Sequence, residues 1–318
     1  MAQAILLSIV AGIASALLSG ILSAGSVLGA VLFFLAPLPL VIVGIGWHPL
    51  VAALGGLIAC TAVSAIFGPR IALTFGAMVA LPAWLASEGV LRHFASGAVQ
   101  GVADAGRRLG AGMLLPLAFY AALVTLVGAL AISFDHQIFA TLLVRVVDQA
   151  FRTLLSGQAL PPETDLTRFA AIYAGMVPPV FTTILSFALT ISLWLAVKIT
   201  RKSGRLAFEP PPLFLTWLPR EALFVFVGCL ALTYVPGWLG FIGVVGTAAL
   251  TFSFTLVGIA VVHMKTMGRT DRALLLGGVW ASILIFTLPA LIFAIVGAFD
   301  AVLDFRRLRG GGPSTPKS

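Results

Sequence analysis

Charge is what this sequence has least of. Asp, Glu, Lys and Arg make up 9% of its 318 residues, where an average soluble domain carries ~25%. That leaves too little polar side chain to cover a water-facing surface, which excludes an ordinary soluble globular protein. Disorder is excluded for the opposite reason: hydrophobic residues make up 60%, and disordered chains are short of apolar surface. Asn is absent altogether, so no Asn-x-Ser/Thr acceptor exists. The two cysteines, Cys60 and Cys229, lie in apolar runs with no CxxC partner, and read as buried, inert thiols. The four histidines, His48, His93, His136 and His263, are far apart in sequence, so no metal site is expected. There is no Gly-x4-Gly-Lys-Ser/Thr, no His-Glu-x-x-His and no Gly-x-Ser-x-Gly. Nothing here indicates a phosphate-cradling loop, a zinc peptidase or a serine hydrolase, and the reading is a non-enzyme without cofactor.

What remains is oil-soluble. Mean hydropathy is +1.11, and the first charged side chain is Arg70. The stretch before it holds about three spans of ~20 residues, each matching a ~30 Å hydrocarbon layer. The fold class is therefore an all-α, polytopic transmembrane bundle. A net charge of +8 would suggest nucleic acid in a soluble protein, but here Lys and Arg sit in short loops. That is the positive-inside pattern, with the lipid bilayer as the partner and not a nucleic acid.

One membrane domain is read over 1–305. Spans are expected at 4–22, 27–45, 50–67, 71–91, 111–132, 169–197, 222–235, 238–262 and 273–299. The first is read as uncleaved, because no Lys or Arg precedes it. Pro37 and Pro39 break the second, and Pro178-Pro179 interrupts the sixth. Arg92, Arg107 and Arg108 are assigned to a cytoplasmic loop, and 198–220 to a cytoplasmic basic loop. Residues 138–157 alternate apolar and charged faces at helical spacing, the pattern of an external amphipathic helix lying along the interface. Residues 306–318 read as a disordered basic tail. Nine crossings would put that tail outside, against its charge. Eight crossings with both ends inside fit better, the second or seventh segment then failing to cross.

Small and hydroxyl residues form ladders. Ser8, Gly12, Ala16 and Gly20 recur every fourth residue of the first helix, a stripe that lets backbones approach closely, within the chain or against a partner. Thr182, Ser186 and Thr190 align in the sixth span, and Thr247, Thr251 and Thr255 in the eighth. These hydroxyls fit either interhelical packing or the lining of a ligand pocket. Ionisable groups sit at helix ends: Glu88 one turn before Arg92, and Asp300 and Asp304 four apart on one face, with Arg307 three beyond Asp304 and able to neutralise it. No carboxylate lies mid-span, which argues against a proton relay.

Two patches, Pro37-Leu38-Pro39 and the ending Gly297 to Arg307 with Asp300, Asp304 and Arg306, resemble the YybS-like family of uncharacterised bacterial membrane proteins. That resemblance implies the bacterial cytoplasmic membrane and a distant similarity to the S components of energy-coupling-factor transporters. It implies a non-catalytic subunit that binds a small ligand and works with a transmembrane coupling protein and ATPase subunits. Gly12 and Ala16 would then correspond to the S-component stripe that meets the coupling protein. The spans after residue 200 depart from the six-helix plan. The other reading is a structural or regulatory membrane protein with no transported ligand.

Overall fold

The computed structural model describes residues 2–21, 27–95, 100–156, 165–285 and 288–306. Helix is the only regular structure among the described residues, with no strand among them. Six helices are long and apolar enough to cross a membrane, seven if one sharply bent pair counts as a span. The chain is a multi-pass membrane protein.

Helices α1 (Ala2–Gly20) and α4 (Pro49–Phe67) run side by side in the same direction. A Cβ on Gly12 would sit 2.4 Å from the Gly55 carbonyl oxygen, so only glycine permits this approach. Ser8 donates to the Val51 carbonyl at 3.0 Å, and Gly20 faces the Phe67 ring. The small-residue stripe, with Ala16 packed beside Ala59 and Val63, is thus an interface inside the chain. The opposite face of α1 exposes Ile5, Leu6, Ile9, Val10, Ile13 and Leu17.

The proline break is real. Between α2 (Val27–Phe34) and α3 (Leu38–Gly46) a turn spans 35–37, with Pro39 in the first turn of α3. Broken backbone inside a bundle needs new hydrogen-bond partners. Two serines supply them: Ser15 of α1 donates to the Ala36 carbonyl at 2.6 Å, and Ser192 to that of Phe34 at 3.2 Å.

The next span is α5 (Pro69–Phe75), a π-helical turn at 76–80, α6 (Leu81–Val90) and a second π turn at 91–95. A third π turn, 110–114, joins α7 (Gly101–Leu109) to α8 (Leu115–Ile132). Two of these turns end just before a proline: Leu81 donates to Gly76 ahead of Pro82, and Leu115 to Gly110 ahead of Pro116. Widening the helix by one residue there accommodates the ring that a regular turn would clash with. Arg107 and Arg108 therefore belong to a continuous helical span from Gly101, not to a loop as the sequence suggested.

Three other boundaries correct the sequence reading. Helix α9 (His136–Leu154) precedes α10, and α10 (Leu166–Lys202) runs unbroken through Pro178-Pro179 for 37 residues. Lys198 to Lys202 close α10 and Arg220 opens α11 (Arg220–Leu232), so the basic loop is shorter than 198–220. After α12 (Trp238–Lys265), the last apolar stretch is not one continuous helix. It is α13 (Arg272–Ile285) and α14 (Leu288–Leu303), bent by 116°.

One end of the bundle gathers the basic segments. Gly46 abuts Thr200 and Arg205, Phe94 stacks on Phe208, and Phe214 on His263. Lys198 lies 4.0 Å over the Trp194 ring and Arg205 5.0 Å over Trp47. At the other end Trp238 donates to the Phe134 carbonyl at 2.7 Å, and Phe139, Phe241 and His136 pack around it.

Candidate functional site

Among the described residues no hydrogen bond joins one hydroxyl ladder to the other. Thr182 and Ser186 are buried, and Thr182 Oγ1 lies 2.9 Å from both Thr125 Oγ1 of α8 and the Pro178 carbonyl. Ser186 donates to the Thr182 carbonyl one turn back at 2.8 Å. Thr255 lies within reach of the Thr251 and Ala290 carbonyls, at 2.8 and 3.0 Å. Thr190 and Thr247 bury their hydroxyl oxygens without a protein partner, while Thr251 is half-buried. The two cavities described below include none of these six residues.

The larger cavity, about 430 Å³, opens at the basic end between the π turn at 91–95 and α7. Arg92, His93, Asp104, Arg107, Arg108 and Gly112 line it. Asp104 organises the arginines: its carboxylate lies 2.9 Å from Arg108 Nε and 3.5 Å from Arg107, and accepts the Gln100 N–H at 3.1 Å. Arg108 also donates to the His93 carbonyl, tying α7 to the π turn, and Arg92 pairs with Glu88 at 2.7 Å, as the spacing suggested. Three guanidiniums thus line the cleft against one carboxylate. Arg92 and Arg107 remain 75% and 66% exposed, open to a ligand from water or from the membrane surface. A smaller cavity of about 250 Å³ lies on α9 at the other end, lined by Gln137, Ile138, Thr141, Leu142 and Arg145.

Behind the cleft, a strap from Leu213 to Leu218 crosses the basic end. Trp217 Nε1 donates to the Ala103 carbonyl at 3.0 Å, and the Trp217 carbonyl rests on Gly110, where a Cβ would collide with it. On the strap's other side lies Arg306. The sequence put it in a disordered tail, but it is buried. Its guanidinium meets Asp300 at 2.7 Å and donates to the Phe214 and Thr216 carbonyls at 2.6 and 2.7 Å. The turn that brings it back is made at Asp304, whose φ is +48°, a left-handed conformation Asp tolerates better than most residues and one that commonly ends helices. Arg307, the expected partner of Asp304, and the rest of the tail lie outside the described residues.

Among the described residues no three His, Cys, Asp or Glu side chains group as metal ligands. His48 instead caps α4, accepting the Leu50 N–H at 3.2 Å. Sequence reasoning missed the cleft because Arg107 and Arg108 were assigned to a loop and Arg92 to a helix-end pair with Glu88. The signal was available: Asp104, Arg107 and Arg108 share one helical turn. No protein-family model, curated protein or solved structure matches the chain.

Proposed function

We propose that this chain is a non-catalytic membrane subunit that binds a small anionic ligand at the basic end of its bundle. The cleft with three arginines and one aspartate carries the reading. Such a subunit, S-component-like in role and YybS-like in its two sequence patches, would draw energy from a coupling protein and ATPase subunits. The stripe Gly12–Ala16 is already covered by α4, so that partner would meet another face. Thermal unfolding of the full chain in neutral detergent, at low salt, tests ligand binding. An anion at ~100 times its Kd adds ~2.7 kcal/mol of stability, and Arg107→Gln should remove the gain. No shift with any anion would refute the reading.

The arrangement in the membrane follows from the same end-to-end contacts. We read eight crossings, with both termini on the cytoplasmic side and α13–α14 as a re-entrant hairpin. Arg272, at the start of α13, follows Lys265 by only seven residues, and Arg306 returns to Phe214, which stacks on His263. Ala290, in the first turn of α14, meets Thr255, ten residues and ~15 Å short of the end of α12. On this reading α14 starts part-way along α12, and the non-crossing segment is the last one rather than the second or seventh. Helix α9, its exposed Ile138, Leu142 and Val146 on one side, lies along the external interface. A reporter fused after residue 309 should be active in the cytoplasm; periplasmic activity would overturn this topology.

The hydrogen-bonded ladders favour a second reading, a structural or regulatory protein with no transported ligand. Thr182 against Thr125, and Thr255 against Ala290, serve helix packing. Anion-independent stability together with an unaltered cleft variant would support it.

A further inference from the structure

We propose that the cleft holds the phosphate of an anionic phospholipid, with an acyl chain laid along α8. The inference rests on the anion-binding reading above and names its ligand. Depth is the first argument. Counting back from Ile132 at the external end of α8, a ~30 Å hydrocarbon layer takes ~20 residues, which ends at Gly112, on the cleft wall. Arg107 and Arg108 then stand about one turn farther out, at headgroup level. The aromatic–cation pairs Trp194–Lys198 and Trp47–Arg205 at the same end of the bundle mark that interface independently.

Chemistry is the second. A guanidinium presents five N–H donors in a planar fork, more than one carboxylate can accept, and the fork matches phosphate oxygens in pairs. Asp104 holds the Arg108 fork at 2.9 Å and draws Arg107 to 3.5 Å, so the cations are gathered on one wall of the cleft. The cleft's shape suits a headgroup attached to a chain. Phe119, Leu123 and Val127 stand four residues apart on α8 and are 70%, 41% and 51% exposed. They begin seven residues above Gly112, beyond the π turn at 110–114. An apolar track thus leads out of a cationic cleft, the arrangement of a diacyl phosphate and not of a free anion.

Native mass spectrometry of the full chain in a neutral detergent tests this, with phosphatidylglycerol, phosphatidylcholine and inorganic phosphate as the three probes. Phosphatidylglycerol should stay bound in preference to phosphatidylcholine. Arg107→Gln should weaken it about tenfold or more, the weight of one charged hydrogen-bonded contact. Phe119→Ser should weaken lipid and leave phosphate unchanged. Arg107 is largely exposed, so its variant folds; Arg145→Gln, at the other end of the bundle, controls for lost charge. Inorganic phosphate binding as tightly as the lipid would overturn the lipid assignment and leave the anion reading standing. If no probe depends on Arg107, both fall.

Discussion

Replacing Arg306 by Met should destabilise the protein more than any other single change at its basic end. The pair it forms with Asp300 is dry, with side-chain exposures of 0% and 1%, and closes at 2.7 Å. Met fills much of the arginine stem's volume but takes the guanidinium away from the buried Asp300 carboxylate. It also removes the donors to Phe214 and Thr216. Breaking one side of a buried ion pair costs ~3–5 kcal/mol. At ~2–4 °C per kcal/mol for a chain of this size, the midpoint should fall by roughly 10 °C. The double variant Asp300→Leu/Arg306→Met leaves no charge from the pair behind, and the strap carbonyls lose their donors at ~1–3 kcal/mol. It should therefore be more stable than the single variant although it carries one more substitution. Thermal unfolding of the full chain in detergent, followed by tryptophan fluorescence, reads both. A single variant that melts with the wild type, or a double variant that melts below the single, would refute the reasoning.

Three further outcomes follow from the packing. Gly12→Leu drives a side chain into the Gly55 backbone and should cost ~1–3 kcal/mol or more by detergent unfolding, whereas Ile13→Leu on the exposed face should be neutral. Ser15→Ala removes the donor to the Ala36 carbonyl in the helix break and should cost ~1–3 kcal/mol, while Thr61→Ala on the exposed side of α4 should change stability by less than ~0.5 kcal/mol. Asp304→Gly should be tolerated and Asp304→Val should not, because a β-branched residue is strained at positive φ. Unfolding midpoints that fail to separate these two would show that the turn does not hold Arg306 in place.

Much of the bundle was written openly in the residues. Apolar runs located the six long helices, Pro37 located the break, and the four-residue spacing of Glu88–Arg92 produced the pair observed. Pro178-Pro179 misled because tandem prolines look like an interruption. Thr182 and Thr183 hydroxyls bond to the two proline carbonyls, and the helix continues. The last stretch misled in the other direction. Pro289 falls in the first turn of α14, where proline starts a helix as well as it breaks one. Arg306 was invisible as a partner of Asp300 because six residues is not a helical pairing distance; only the left-handed turn at Asp304 closes it. The cleft needed tertiary structure, since Arg92 and Arg108 lie on two elements whose approach no local pattern specifies.

The serine pair at the helix break carries a consequence for biosynthesis. Ser192 lies 158 residues downstream of the Phe34 carbonyl it serves. At ~5–20 residues per second, a ribosome takes roughly ten to thirty seconds to deliver it. During that interval the half-finished bundle holds the Phe34 carbonyl without its serine donor, because Ser15 serves only the Ala36 carbonyl two residues on. A nascent chain in that condition is a natural client for an insertase that shelters polar groups until the later helix arrives.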